Sequence, residues 1–161
     1  MTDEMANANP LGALNIELQG QDFTPVLLPP GQYPMQITGA IIHQSKNGRT
    51  SLKVKAGTAQ EYPSTVAGQT VDPGTELEMY VGLQVDPTLS DKDRVDSTKR
   101  MLSRLQNLVC SVFNASPNDC PNLNQDTINQ MVGRQVIGVV DIESDAVYGD
   151  RNRLQAILTQ G

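Results

Sequence analysis

The chain has 161 residues and a formal net charge of −6, from Lys+Arg 12 against Asp+Glu 18. That balance excludes coating nucleic acid through overall charge, but screening confines each charge to about 10 Å, so a local basic groove remains open to it. Aromatic residues are 4% of the chain and Trp is absent, which limits base stacking, and no apolar run approaches the roughly 18 residues of a membrane-spanning helix.

In chain order, residues 1–22 read as an acidic polar arm with a weak apolar stripe of Leu11, Leu14, Ile16 and Leu18, and residues 23–161 as one domain. The start MTDEMANANP lacks the apolar segment of a signal peptide, so a cytoplasmic setting with Cys110 and Cys120 reduced is expected. Pro25, Pro29 and Pro30 exclude a helix interior or central strand, and Gly31 turns the chain into the first strand. Tyr33, Met35, Ile37 and Ile41 share one parity there, as a half-buried strand requires. Ser45-Lys46-Asn47-Gly48 is a hairpin turn, because Asn and Gly tolerate positive φ. In the second strand Leu52, Val54 and Ala56 point one way while Ser51, Lys53 and Lys55 point the other. No Asp or Glu occurs between Phe23 and Gln60, so Lys46, Arg49, Lys53 and Lys55 make a local basic patch on the open face of a hairpin.

Residues 57–74 are rich in Thr, Ser, Gly, Pro and Gln and read as a loop. In the third strand Leu77, Met79, Val81, Leu83 and Val85 face the core and alternate with Glu76, Glu78, Tyr80, Gly82 and Gln84. Ser90, with Asp93 three residues on, caps a long amphipathic helix through Asn114. Its stripe of Leu102, Leu105 and Val109 is expected to pack against the end or side of a β barrel, and Lys92, Arg94, Lys99, Arg100 and Arg104, mixed with Asp91, Asp93 and Asp96, to form a solvated face. Asn124 caps a short helix whose Ile128, Met131 and Val132 face inward, and Gly133 ends it. Residues 134–143 form a more continuously apolar strand suited to burial on both sides. After a turn at Tyr148-Gly149-Asp150, residues 151–159 form the last, with Leu154, Ala156 and Leu158 on one parity. The order strand, strand, strand, helix, strand, strand predicts a mainly β fold with one long helix, an OB-like five-stranded barrel; a β-sandwich with an inserted helix has the same element order.

Catalytic signatures are lacking. His43 stands alone at a strand end, Cys110-x9-Cys120 matches no zinc spacing, and no glycine-rich phosphate loop or nucleophile motif occurs. Asp141, Glu143, Asp145 and Asp150 read as solvated turn carboxylates before a divalent-cation site. A non-enzymatic protein without a cofactor is expected. In the basic hairpin, Lys53 and Lys55 lie about 7 Å apart on one face. They either follow phosphates, with Tyr80 stacking a base, or guard a sheet edge against aggregation. Glu76 and Glu78 share that face, where they would pair the lysines or repel a strand.

Gly31-x-Tyr33, the turn Ser45-Lys46-Asn47-Gly48 leading to Leu52-Lys53-Val54, the strand opening Gly133-Arg134-x-Val136, and the hairpin Tyr148-Gly149-Asp150-Arg151-Asn152-Arg153-Leu154 follow one another in a recognisable order. Together they resemble a family of phage-encoded single-stranded DNA-binding proteins of OB-like fold, over about residues 23–158. The chain departs from many single-stranded DNA-binding proteins in ending LQAILTQG, its acidic stretch lying at the other end. The resemblance implies binding of single-stranded DNA in phage replication or recombination, in the host cell cytoplasm, with no membrane. Its contacts would be Lys46, Arg49, Lys53 and Lys55, with Tyr80 as a stacking platform and Arg151 and Arg153 on the closing hairpin. Phage or host replication proteins would be further partners, and a homo-oligomer is compatible with it. The alternative is a virion structural protein, a capsid decoration or tail component, which suits the acidic charge, few aromatics and proline-rich arm. A protein-binding replication accessory without nucleic-acid affinity is a third reading.

Overall fold

The computed structural model describes residues 15, 19, 26–147 and 149–160. The arm expected over residues 1–22 therefore lies outside the described residues, except at 15 and 19, as do Phe23, Thr24, Pro25 and Tyr148. The first strand, β1, spans Gly31–Gln44, and β2 spans Thr50–Thr58. Between them Gly48 adopts φ 79 and donates to the Ser45 carbonyl at 2.9 Å, closing the Asn-Gly turn. The stretch expected to be loop holds a small ribbon, β3 at Tyr62–Pro63 with β4 at Thr70–Val71, ahead of β5 at Glu76–Gly82. Helix α1 spans Asp91–Phe113, α2 spans Gln125–Met131, β6 spans Gln135–Asp145 and β7 spans Gly149–Thr159.

The caps explain the helix ends. Ser90 Oγ accepts from the Asp93 N–H at 3.3 Å, and Asn124 Oδ1 accepts from the Thr127 N–H at 2.9 Å, satisfying donors that each first turn leaves free. Asn114 closes α1 in the left-handed region at φ 52. In α2, Ile128 and Met131 are buried, while Val132, expected inward, lies past the helix end and is exposed.

Five strands form one antiparallel sheet in the order β5-β2-β1-β6-β7. Two bulges set which faces are buried. In β1, Ile37 faces Ala56 and Gly39 faces Lys55, so Thr38 is an extra residue. One added residue turns every later side chain over. Ala40 is therefore buried, and Ile41, expected inward with Ile37, is 54% exposed on the outer face. In β7 the extra residue is Gln155, between Leu154 opposite Val140 and Ala156 opposite Val139. Leu154 and Ile157 point into the core as a result, and Leu158 does not. In β6, Val136, Gly138 and Val140 are buried while Ile137 and Val139 are half-buried, so only one face is fully covered.

The core gathers Leu28, Met35, Ile37, Leu52, Val54, Met131 and Val136 with Leu105, Leu108 and Val112 of α1. Helix α1 lies against β5, β6 and β7, but only its carboxy-terminal half is docked. Leu102 is 56% exposed, so the expected packing stripe begins one turn later, at Leu105. The outer strands β5 and β7 approach within 8 Å at Cα, yet no pairing joins them among the described residues. A cleft of about 670 Å³, lined from Glu76 to Tyr80 on one side and from Arg151 to Gln155 on the other, lies between them. The segment before β1 is fixed to the β7 end: the Asn152 side chain accepts from the Leu28 N–H and donates to its carbonyl, both at 2.9 Å.

Candidate nucleic-acid interface

The sheet register assembles the candidate site on the outer face of β1, β2 and β5. Ile41, Lys53 and Tyr80 form one cross-strand row, Gly39, Lys55 and Glu78 the next, and His43, Ser51 and Gly82 a third. Strand β2 runs between β1 and β5, so its lysines are not on a sheet edge. Edge protection, the bland account of Lys53 and Lys55, therefore does not apply to them.

Glu78 is the hub of the patch. Its Oε1 lies 3.5 Å from Lys53 Nζ and 3.8 Å from Lys55 Nζ, and its Oε2 accepts from the Tyr80 hydroxyl at 3.1 Å. Glu76, two residues earlier on the same face, takes no lysine and accepts from Thr38 Oγ1 at 2.7 Å. Lys53 Nζ also sits 5.8 Å from the centre of the Tyr80 ring, a long cation–π contact. Burial pulls the Lys53 ammonium toward neutrality, but the opposing effects of Glu78 and Tyr80 outweigh it and hold its pKa above the ordinary lysine value. Tyr80 keeps half its surface exposed, and its ring makes an edge-type contact with that of His43, 5.4 Å between centres.

Of the residues read as contacts, the fold brings Lys53, Lys55 and Tyr80 together. Lys46 and Arg49 stand exposed at the hairpin end of the same sheet. Near that end, Asp86 is held below the usual carboxylate range chiefly by hydrogen bonds from Thr88, with the Arg49 charge adding. Arg151 and Arg153 lie on the opposite edge strand and are engaged. Arg151 Nε meets Glu143 at 3.2 Å, and Arg153 makes a bidentate pair with Asp141 at 3.0 and 2.6 Å. The hydrogen bond from Arg153 lowers the Asp141 pKa and raises that of Arg153. The acidic cluster of the last hairpin is thus largely consumed by cross-strand pairing, and among the described residues no three metal-ligating side chains converge.

Ile41 and His43 were not legible as site residues, since the Thr38 bulge alone puts Ile41 outside. A simple alternation gives no sign of it. The two cysteines, expected reduced, are free and are neighbours: the Cys120 pKa is raised by burial and further by the adjacent Cys110, and its Sγ donates to the Pro121 carbonyl at 3.6 Å. Among the described residues no helix is long and apolar enough to cross a membrane. No protein-family model matches this chain, and no curated protein matches it.

Proposed function

We propose that the protein is a non-enzymatic, OB-like binder of single-stranded DNA acting in phage replication or recombination. The observation that carries this reading is the convergence of Lys53 and Lys55, on the interior strand β2, with the half-exposed Tyr80 of the neighbouring outer strand β5 on one face of the sheet. Two cations spaced along a strand suit successive phosphates, and an exposed ring suits a base irrespective of sequence. The strand order β5-β2-β1-β6-β7, with its two outer strands facing each other unpaired, supports a partly open OB-like barrel, whose second and third core strands present the binding face. These are β2 and β5. The incoming phosphate would displace the Glu78 carboxylate from the two ammonium groups, and Ile41 and His43 would extend the floor beside Tyr80.

The test is an anisotropy titration with an oligothymidine at several salt concentrations. A salt-sensitive affinity is expected, and Tyr80→Ala should weaken it by about 1–3 kcal/mol without changing the salt slope, since stacking releases no counterions. A second reading, a virion structural protein such as a capsid decoration or tail component, draws on Glu78: a patch whose lysines are already paired needs no external anion. Absence of any salt-sensitive affinity for single strands would sink the DNA reading and leave this one.

A further inference from the structure

We propose that a bound single strand leaves the sheet face over β5 and continues onto α1, where Arg104 and Arg100 take its phosphates. The inference rests on the single-strand reading and extends its site to a helix that reading does not use.

The first observation is a trough made of adjoining hollows. The cleft between β5 and β7 shares Met79, Tyr80 and Gln155 with a second hollow of about 380 Å³, walled on its helix side by Arg104, Asn107 and Leu108. That hollow shares Gly82 and Arg104 with a third, of about 350 Å³, bounded by Arg100 and by the connection from β5 to α1. Three adjoining hollows therefore lead from Tyr80, over Gly82, to Arg104 and Arg100. Gly82 leaves the way unobstructed: a Cβ there would meet nothing nearer than the Gln84 carbonyl oxygen, at 4.0 Å.

The second observation is where the spare positive charge lies. Lys53 and Lys55 share Glu78, Arg151 and Arg153 hold Glu143 and Asp141, and Arg94 holds Asp91. Seven basic residues, Lys46, Arg49, Lys92, Lys99, Arg100, Arg104 and Arg134, have no carboxylate partner among the described residues, and of these only Arg100 and Arg104 line the trough; Arg100 reaches the Ser97 hydroxyl, at 3.1 Å. The carboxylate lining their part of the trough is Asp86, whose Oδ1 is occupied by the Thr88 N–H and hydroxyl. One helical turn apart, the two arginines put their Cβ atoms about 5–6 Å from each other on one side of α1. The opposite end of the trough carries Glu76, Glu78 and Glu143, and its two arginines, Arg151 and Arg153, are already held by Glu143 and Asp141, so it offers phosphate no uncommitted cation. Charge thus directs a strand from Tyr80 toward α1.

The test compares three double variants, R100A/R104A, R100K/R104K and K92A/K99A, by anisotropy with oligothymidines of about 4 and about 16 nucleotides. With the longer strand, R100A/R104A should reduce the magnitude of the slope of log K against log salt by about 1.4, two contacts at about 0.7 each. R100K/R104K should retain the slope, and K92A/K99A, the same charge loss on the same helix outside the trough, should leave it unchanged. The shorter strand, covering only the sheet face, should not sense R100A/R104A. Melting temperatures should match the wild type, since all four side chains are exposed. An unchanged slope for R100A/R104A on the longer strand, or an equal loss with K92A/K99A, overturns the path onto α1 while leaving the sheet-face reading intact. No binding of either strand by the wild-type protein overturns both.

Discussion

On the proposed single-strand reading, neutralising Glu78 should tighten binding and steepen its salt dependence. In the unliganded protein one carboxylate serves two ammonium groups, Lys53 at 3.5 Å and Lys55 at 3.8 Å. The pair therefore offers a strand about one net positive charge rather than two, and so displaces fewer of the strand's condensed counterions. Each phosphate contact on a single strand contributes about −0.7 to the slope of log K against log salt. Glu78→Gln restores the second charge and should steepen the slope by about 0.7, while glutamine still accepts the Tyr80 hydroxyl. The natural control is Glu76→Gln. It removes the same charge from the same strand and face, but Glu76 is held by Thr38 and reaches neither lysine. Its effect on the slope should be smaller. The assay is oligothymidine anisotropy over a salt series, with circular dichroism to confirm that both variants fold. Weaker binding by Glu78→Gln, or equal steepening by the two variants, would refute the idea that Glu78 occupies the phosphate position.

Other consequences concern the fold. Leu105→Ala should cost about 2–5 kcal/mol in urea unfolding, as a buried leucine truncation, whereas Leu102→Ala, one turn earlier and 56% exposed, should stay within about 0.5 kcal/mol; similar losses at both positions would mean that the amino-terminal half of α1 is covered. Gly138→Ala would put a Cβ 2.5 Å from Met35 Sδ and 2.9 Å from Leu154 Cδ1, both on buried side chains, so a loss of about 1–3 kcal/mol is expected from overpacking, and a neutral or stabilising result in the same assay would show that the two chains rearrange freely. The lowered Asp141 pKa contributes stability that is present above the unfolded value, near 3.8, and is lost as pH falls through the lower folded value. Melting temperature followed from pH 5 downward should thus fall less steeply below about pH 4 in Arg153→Ala than in the wild type; parallel curves would show that the pair does not persist in solution.

The Ser90 and Asn124 caps, the Asn-Gly turn, the alternation in β5 and the apolar periodicity of α1 are all visible in the sequence by itself. Each depends on residues at most four positions apart, and local sterics and capping hydrogen bonds decide such features before any distant contact forms. The acidic residues of β5 were equally visible, but their effect was not. Whether Glu76 or Glu78 meets the lysines depends on the β2–β5 register, which places Glu78 opposite Lys55 and Tyr80 opposite Lys53. The position of β2 inside the sheet, which removes edge protection as an account of its lysines, follows from which strands pair. Single added residues at Thr38 and Gln155 turned Ile41 outward and Ile157 inward, against the parity of the surrounding sequence. A bulge costs one ladder hydrogen bond and is settled by packing on the far side of the sheet, so no local pattern announces it. The same holds for α1: its apolar stripe continues from Leu105 back through Leu102 to Val95, and only the extent of the sheet beneath it determines that Leu105, Val109 and Val112 are covered while Val95 and Leu102 are left in water.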